Sequence, residues 1–526
     1  MEKFHTILIG GGINNLVCAS LLAKSGKKVL LLERTEFPGG CIRSESIEGC
    51  VVDLLSTAYP LFITSPSYAA LKGDLEQRGV EFVMNSTPIA TILSNKEFTL
   101  LRTNREENVK NFDELTKGEG QRYREVMEWV EQNAEFLFTF LGQELVSSKI
   151  AKFLAKYVWK NKVKASMENI GSYLPNVRND LPNYFKSPEL QAAIAPWVLH
   201  TGLSPESPFS STMAKIVTFT LEMVGLPLVK GGSFKIVEAF QDIIEDHGGQ
   251  IKLGAHVDEI LVDALGKANG VKLSDGTIYE SNFVVASVNP TQLYGSLIKE
   301  KAVVPPNTLE QAKNFKYGMG NTQVHIILNE PPKWFNSELD SVVYVHLSDG
   351  IDDVSKAVNE ARRQLLPENG TICVAQPSNV DPSRASGGKS VLWIQLPECP
   401  NFPKGDAGGE LTSLCNGEWT DELKEAYAEK IIGRIEKYIS NIRSAQVYKR
   451  VISPKDLSEM NINLQNGDPY GGLCEIEQYL AWRPLRSTVN HETPVKNLYH
   501  NGASTHPGPG LGGVGGLHIA EILKKK

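Results

Sequence analysis

The sequence predicts an α/β fold built around a parallel sheet, and three segments indicate it. Near the N-terminus, an apolar strand over 5–9 runs into three glycines and a helix over 13–24, after which a second strand follows. In the middle of the chain, a helix over 235–247 precedes several short strands. At the far end, a glycine-rich loop leads from a short strand into a helix over 517–525. Because helices alternate with strands, we expect the helices to cover a parallel sheet.

Length and composition limit the classes of protein that this chain can be. Its 526 residues suffice for two large domains. The net charge of −7 disfavours nucleic acid as a partner, because phosphate binding needs a basic surface. The seven cysteines form no CxxC pair and the ten histidines no HExxH motif, so we expect a reducing compartment, no disulfide framework and no metal. Without a signal peptide or an apolar run of ~20 residues, we expect a soluble, cytoplasmic protein, with contact to a membrane surface left open.

The first turn has the pattern of a dinucleotide-binding loop. Gly10 makes the tight turn, and Gly12 lets the backbone approach a diphosphate at the helix N-terminus. Glu33 ends the second strand, where an acid accepts hydrogen bonds from the ribose. Asn15 stands in place of the third glycine, so we expect slightly wider packing of helix on strand. The residues predicted here to bind the dinucleotide are Gly10, Gly12, Ile13, Asn14, Asn15, Glu33 and Arg34.

A second glycine doublet, Gly39-Gly40, follows the predicted ribose-binding acid. It resembles the FAD-binding extension of the amine oxidase and phytoene desaturase flavoproteins, in which the chain passes close to the cofactor. That family often has an arginine directly after the doublet, whereas this chain has Cys41. Arg43 therefore either takes over a phosphate contact or is a surface charge. The resemblance adds Gly39, Gly40 and Arg43 to the predicted FAD-binding residues.

The C-terminal loop carries the most specific resemblance. Seven of the fifteen residues from Gly502 to Gly516 are glycine, and the loop leads into a helix, which is typical of an anion site. The segment from Asn497 to Gly513 resembles the C-terminal signature of the phytoene desaturase family, in particular its phytoene-dehydrogenase-like members. In a flavoprotein this loop would face the diphosphate or the flavin. The resemblance adds Gly502, Ala503, Ser504, Gly512, Gly513 and Val514 to the predicted FAD-binding residues.

Two histidines are candidates for a role near the substrate. His506 lies inside the C-terminal loop, so it is the catalytic candidate, either as a proton relay or through positioning of the flavin ring. The alternative is a hydrogen-bonding strut that shapes the turn. His200 is either a pocket residue or a buried histidine with satisfied hydrogen bonds.

The domain organisation follows from where the family elements occur. The segment after Gly231-Gly232 resembles the return of these flavoproteins from the substrate domain to the FAD domain, which implies that the backbone of Val257 contacts the adenine. We therefore expect a Rossmann-like FAD-binding domain, discontinuous in sequence, with an inserted α+β substrate domain. The FAD-binding domain is predicted over 1–65, 226–300 and 468–526, and the substrate domain over 66–225 and 301–467.

A helix predicted over 149–164 is basic and amphipathic. Lys149, Lys152, Lys156 and Lys160 fall on one face, whereas apolar residues occupy much of the other side. Such a helix either lies on an anionic membrane or packs in the substrate domain with its lysines in solvent. Both interpretations stay open at the level of sequence.

The resemblance implies an FAD-dependent oxidoreductase that introduces C=C bonds into a long apolar, carotenoid- or isoprenoid-like substrate by hydride transfer to the flavin. Electrons would then pass to an acceptor such as oxygen or a quinone. Three alternatives remain: a redox-neutral polyene isomerase, a flavin oxidase or desaturase of a smaller non-isoprenoid substrate, and a flavin-binding protein without turnover. A fold alone does not define a reaction.

Overall fold

The computed structural model describes residues 3–526, and within them the chain forms two seven-stranded sheets and several short strand pairs. In chain order the strands are β1 (Lys3–Ile9), β2 (Val29–Leu32), β3 (Ser44–Ile47), β4 (Cys50–Asp53), β5 (Phe82–Val83), β6 (Ile89–Ile92), β7 (Phe98–Leu101), β8 (Leu228–Val229), β9 (Gln250–Lys252), β10 (Val257–Val262), β11 (Ala268–Leu273), β12 (Ile278–Ala286), β13 (Gly320–Leu328), β14 (Tyr344–Leu347), β15 (Leu365–Leu366), β16 (Ile372–Ala375), β17 (Ser390–Cys399), β18 (Gly405–Asp406), β19 (Gln446–Ile452) and β20 (Leu498–His500). The helices are α1 (Ile13–Lys24), α2 (Pro60–Ile63), α3 (Pro66–Gln77), α4 (Arg105–Leu115), α5 (Glu119–Gly142), α6 (Ser148–Asn161), α7 (Val163–Tyr173), α8 (Val177–Tyr184), α9 (Pro188–Ile194), α10 (Ser210–Val224), α11 (Phe234–Asp246), α12 (Pro290–Gln292), α13 (Pro306–Lys313), α14 (Ile351–Arg362), α15 (Pro377–Val380), α16 (Asp421–Ile435), α17 (Pro454–Met460) and α18 (Val514–Leu523).

The first sheet brings together strands from the two ends and the middle of the chain. Strands β9, β2, β1 and β12 are neighbours in that order and parallel, and β20 pairs with the C-terminal half of β12. The N-terminal half of β12 instead pairs with β11, which continues the sheet into an antiparallel meander with β10. The apolar strand β2 is buried throughout, as expected for a parallel strand covered on both faces.

Helices α1, α11, α18 and α3 cover one face of this sheet, and their apolar side chains form a single core with those of β1 and β2. Helix α18 approaches α1 so closely that a side chain at Gly516 would collide with the backbone of Asn14. The glycines at the start of α18 therefore set the distance between the first and the last helix of the domain.

The second sheet has the strand order β19-β13-β17-β16-β14-β6-β7 and is mixed. One of its faces packs against α16. The other packs against a helical layer that includes α5, α8, α9 and α10. The sequence predicts an α+β substrate domain for this part of the chain. The boundaries of that domain stay a prediction.

A buried ion pair connects Arg384, in the predicted substrate domain, to Asp53, in the predicted FAD-binding domain. Asp53 at the end of β4 accepts a hydrogen bond from Arg384 Nη1 at 2.6 Å, and both side chains are fully buried. Asp53 also accepts a hydrogen bond from the backbone N–H of Ser233 at 3.0 Å, next to the first residue of α11. Its remaining acceptor sites are filled by Ser44 and Thr57. These contacts fix three distant segments against one another.

The predicted helix over 149–164 is wrong in its extent. Helix α6 ends at Asn161, because Lys162 has a left-handed φ of 67°, and α7 starts at Val163 as a separate helix. Among the described residues, no helix is long and apolar enough to cross a bilayer. The structure describes all seven cysteines, and each is a free thiol.

Candidate active site

A cavity of about 350 Å³ opens at the carboxyl ends of the parallel strands of the first sheet. Ligands of open α/β sheets bind at such an edge, where neighbouring connections leave in opposite directions. Thirteen of the seventeen predicted cofactor-binding residues line this cavity: Gly10, Gly12, Ile13, Asn14, Glu33, Arg34, Gly39, Gly40, Arg43, Val257, Gly502, Ala503 and Ser504. Segments almost 500 residues apart in sequence thus meet at one place.

The turn between β1 and α1 presents a helix N-terminus to the cavity. Gly10 has a φ of 89°, which favours glycine, and Gly12 is the N-cap residue of α1. No side chain caps this terminus, and its first turn contains no acidic residue. A Cβ added at Gly12 would have Ser287 Oγ as its nearest neighbour, at 4.0 Å. The first N–H groups of α1 and the positive end of its dipole are therefore free to bind an anion.

Glu33 lies at the end of β2, beside the glycine turn. Its Oε2 accepts a hydrogen bond from the backbone N–H of Gly11 at 2.8 Å, and its Oε1 accepts one from that of Thr35 at 2.9 Å. These bonds fix the carboxylate at the cavity wall. Since a carboxylate has about four acceptor sites, Glu33 can also accept hydrogen bonds from ribose hydroxyls.

Asn15 lies behind the glycine turn rather than at the cavity. Its buried Nδ2 donates to the carbonyl oxygens of Ile9 and Gly10, both at 2.9 Å. Its Oδ1 accepts a hydrogen bond from Asn501 Nδ2, also at 2.9 Å. The side chain at the third glycine position thus joins the end of β1 to the C-terminal segment.

The second glycine doublet brings the chain back against the first turn. Gly39 pairs with Gly12, and a Cβ on Gly40 would lie 3.3 Å from the Cα of Gly12. Arg43 follows on the cavity wall, where it forms an ion pair with Glu45 at 2.8 Å. The buried Nε of Arg43 has no hydrogen-bond partner among the described residues. Arg43 is therefore a cavity residue with an unused donor.

The C-terminal loop reaches the cavity through Gly502, Ala503 and Ser504. Buried Arg483 holds this segment, because its Nε and Nη2 both donate to the carbonyl oxygen of Ala503, at 3.0 and 2.8 Å. Ser504 Oγ donates to Asn289 Oδ1 at 2.8 Å.

The rest of the loop lies further from the cavity. Gly512, Gly513 and Val514 are not among its lining residues; Gly513 packs against Val17 of α1 and Ser67 of α3. Contact of these three residues and of Asn15 with the cofactor stays a prediction.

His506 is also absent from the cavity lining. Its Nε2 donates to the carbonyl oxygen of Gln143, just after α5, at 3.0 Å. Burial lowers the pKa of His506 to about 4, so the ring is neutral near pH 7. This geometry is that of the strut, one of the two roles considered for this residue, and a proton relay has no contact here that supports it.

Several lining residues have no counterpart in the sequence-based prediction. Ser287 follows β12 directly, and its carbonyl oxygen accepts a hydrogen bond from Asn463 Nδ2 at 3.1 Å. Asn289 donates through its Nδ2 to the carbonyl oxygen of Asn463 at 2.7 Å. Ser287 and Asn289 come just after a predicted strand, and this position is the sequence signal that could have identified them as site residues. Asn463 lies in a segment without any motif.

Comparison with known proteins identifies the family. The model of the family described as flavin containing amine oxidoreductase matches residues 16–514. The chain belongs to the flavin-containing amine oxidoreductases. It is an FAD-dependent oxidoreductase, and the predicted amine oxidase-type α/β fold and the predicted FAD cofactor are confirmed.

Relatives of this flavin-containing oxidoreductase match over nearly its whole length. One of the limonene dehydrogenase subunits of Castellaniella defragrans is 24% identical, covering 99% of this chain and 95% of the relative. A 4,4'-diapophytoene desaturase of Methylomonas sp. is 24% identical over 96% and 92%, which confirms the resemblance to phytoene desaturases. The all-trans-retinol 13,14-reductase of Danio rerio is 23% identical over 95% and 82%. An oxidoreductase structure from Methanosarcina mazei has the same fold, with a TM-score of 0.61 at 15% identity over 98% and 100% of the two chains.

The lining of the cavity fits FAD. The uncapped N-terminus of α1, with the room in front of Gly12, would hold the diphosphate. Glu33 would hold the ribose, and the free Nε of Arg43 is a further donor for an anionic group. When bound, FAD supplies a two-electron acceptor for a hydride. This chain's part would be to hold the cofactor between its two ends and to exclude water.

A cluster of donors that the sequence did not predict lies in the substrate domain. His200 Nε2 and His346 Nε2 are 3.1 Å apart, so one ring donates a hydrogen bond to the other. One ring nitrogen of each histidine and Cys373 Sγ lie within 4.8 Å of one another, and nitrogen and sulfur are donors suited to a soft metal ion. Burial lowers the pKa of His200 to about 4 and raises that of Cys373. The expectation of no metal stays a prediction.

Proposed function

We propose that this flavoprotein is a desaturase that introduces C=C bonds into a long apolar, isoprenoid-like substrate. The observation that carries the proposal is the set of relatives matched from end to end. Limonene and diapophytoene, which their names give as substrates, are isoprenoid hydrocarbons without an ionisable group. If these relatives shared only the fold and matched a small part of the chain, the similarity would support the FAD cofactor but not the class of substrate.

The chemistry of the cavity lining supports an apolar substrate. Charged lining residues come from two segments, 33–43 and 256–258. Among the described residues that segments 460–471 and 502–511 contribute, none has an ionisable side chain. Apolar side chains there include Met460, Ile462, Leu464 and Leu511. The polar side chains there, Asn461, Asn463 and Ser504, are uncharged, and those of Asn463 and Ser504 already form hydrogen bonds within the protein. A hydrocarbon loses no hydrogen bonds on entering such surroundings, whereas a charged amine would be poorly solvated.

Desaturation removes one hydride and one proton from adjacent carbon atoms, and each new double bond releases two electrons. Bound FAD would supply the acceptor for the hydride, the proton would leave to solvent, and a second acceptor would be needed to reoxidise the cofactor before the next turnover. We propose oxygen or a quinone for this role, because both accept two electrons from a reduced flavin. The neutral wall around Gly471 and Ser504 would orient the carbon chain and exclude water from the reacting C–H bond.

The reverse reaction is the second candidate. A relative named all-trans-retinol 13,14-reductase matches 95% of this chain, so hydride transfer from the cofactor to a polyene is also compatible with the family. Both reactions act on the same carbon atoms and the same cofactor. Desaturation starts from a saturated bond and an oxidised flavin, whereas reduction starts from a double bond and a reduced flavin.

The test mixes the FAD-loaded protein anaerobically with phytoene, limonene or putrescine and follows the flavin absorbance. Bleaching by phytoene or limonene, with a new double bond in the product, is the expected result. Bleaching by putrescine alone would overturn the proposal. Geometric isomers without a net redox change would indicate an isomerase, and saturation of a polyene by chemically reduced enzyme would indicate the reductase. Glu33→Ala protein is the matched control, because its signal should fall in proportion to its FAD content.

A further inference from the structure

Helix α7 turns its apolar side outwards. Val163, Met167, Ile170 and Leu174 recur at the spacing of one helix face, and 69%, 64%, 37% and 51% of these residues are exposed. An amphipathic helix of a globular domain normally buries such a stripe. The stripe on α7 therefore lacks cover from the other residues that the structure describes.

Polar residues hold α7 in this orientation from the inside. Tyr173 is buried, and its hydroxyl donates to Asn133 Oδ1 of α5 at 2.7 Å. Asn169 Nδ2 donates to the hydroxyl of Tyr157 on α6 at 2.9 Å. The inward face thus carries the hydrogen bonds and the outward face the apolar side chains, so a simple rotation of α7 would break both contacts.

Helix α6 adds an exposed aromatic residue four positions before the start of α7. Its Phe153, Leu154 and Tyr157 pack against the core of the substrate domain. Trp159 in its last turn is 79% exposed. Exposed tryptophan beside an apolar stripe is typical of helices that lie in a membrane interface.

The surroundings of the stripe are strongly basic. In the span 148–173 the only acidic residue is Glu168, although the whole chain has a net charge of −7. The exposed lysines of this span are Lys149, Lys152, Lys156, Lys160, Lys162 and Lys164. Lysine clusters next to apolar side chains are attracted to anionic phospholipid headgroups.

We propose that the α6–α7 hairpin docks this enzyme on an anionic phospholipid bilayer. The apolar stripe of α7 and Trp159 enter the interface, and the lysines contact the headgroups. A symmetric dimer through the same surface would place six lysines against six, which like-charge repulsion opposes. The lipid surface is the occupant whose chemistry complements both the charge and the apolar stripe.

The segment that leads into the hairpin is hydrogen-bonded to the C-terminal part of the chain. Gln143, between α5 and α6, accepts the hydrogen bond of His506 from the C-terminal loop. Val146 exchanges two hydrogen bonds with Asn490, at 3.2 and 2.9 Å. Docking would therefore hold the C-terminal loop close to the bilayer. Transfer of an apolar substrate out of the bilayer at this place rests on the proposed function. Docking of the protein on the bilayer is independent of that function.

The test is flotation of the FAD-loaded protein with vesicles of phosphatidylcholine alone or mixed with phosphatidylglycerol. We expect binding to the anionic vesicles and its loss at high salt, because ~1 M salt shortens the screening length to ~3 Å. A V163S/M167S/I170S variant should bind about tenfold more weakly, since it removes apolar surface without touching the core. Leu265→Ser, at an equally exposed apolar residue (73%) on the turn between β10 and β11, is the matched control and should bind like wild type.

Two results would overturn the proposal. One is equal flotation of the triple variant and the wild type, or no flotation of either, with FAD content normal in both. The other is a dimer in light scattering that the triple variant abolishes, because the stripe would then be a protein interface. FAD absorbance of each variant separates lost docking from lost folding, and substrate turnover is not needed for any readout.

Discussion

Replacement of Gly516 by alanine tests whether close contact of α18 with α1 holds the two ends of the FAD domain together. The added Cβ would lie 1.8 Å from the carbonyl oxygen of Asn14, whereas real Cβ contacts stay above 3.0 Å. The helices must therefore separate by at least 1.2 Å. Overpacking of a core typically costs about 1–3 kcal/mol. We expect about 3 kcal/mol here, because the obstacle is backbone and cannot rotate away.

The assay is chemical unfolding followed by flavin fluorescence, which rises when FAD leaves the protein. Gly73→Ala is the matched control, since Gly73 lies inside α3 with no atom within 4 Å of the added methyl group. It should stabilise the protein by about 0.5–1 kcal/mol, because alanine restricts the unfolded chain. A Gly516→Ala protein that unfolds and releases FAD at the wild-type denaturant concentration would refute the packing argument.

Four further predictions follow from single contacts. Asp53→Ala removes the partner of Nη1 of buried Arg384, whose Nε keeps its ion pair with Asp381, so unfolding should become easier by about 3 kcal/mol, the lower end of the range for a broken buried pair; Glu81→Ala, which breaks the exposed pair with Lys230, should change little in the same urea titration. Asn15→Gly restores the usual third glycine but removes three hydrogen bonds, and it should cost about 1–3 kcal/mol in a thermal melt rather than improve FAD binding. Glu33→Ala should raise the dissociation constant of FAD roughly tenfold or more, measured by equilibrium dialysis, and an unchanged constant would contradict the ribose assignment. Burial lowers the pKa values of His200, His500 and His506 to about 4, below the ~6.5 of the unfolded chain. Their contribution to stability is complete above pH ~6.5 and declines as the pH falls towards 4. His506→Gln should therefore flatten the decline of the unfolding free energy between about pH 7 and pH 5.

The N-terminal βαβ unit was predictable from sequence because its signals are local. Helix α1 has its predicted bounds of Ile13–Lys24, and β2 follows it as predicted. Apolar runs, glycines and the acid at the strand end lie within 33 residues, so no distant contact had to be known. Helix α18 was less well predicted, since it begins at Val514, three residues before the predicted start, where glycines conceal a helix that packing stabilises.

The contacts of the site were not predictable in the same way. The hydrogen bonds between Asn289 and Asn463 join residues 174 positions apart, and no motif marks Asn463. His200 and His346 meet across 146 positions, because a strand of the second sheet happens to face a helical segment there. Pairing of this kind depends on the register of the sheets, which no single segment encodes.

By itself, the sequence predicted a dinucleotide site to which both ends of the chain contribute, and residues from both ends line one cavity. Glycine spacing, the strand–helix period and the acid at Glu33 are local properties that survive without knowledge of the rest of the fold. Only the tertiary structure decided which side each residue faces. Asn15 points away from the cavity to bind Ile9 and Asn501, and His506 reaches the end of α5 instead of the cavity. The same holds for helix α7. Its sequence shows an apolar stripe but not whether that stripe faces the core or the solvent, because the orientation of the helix depends on contacts with other segments, such as the hydrogen bond of Tyr173 to α5.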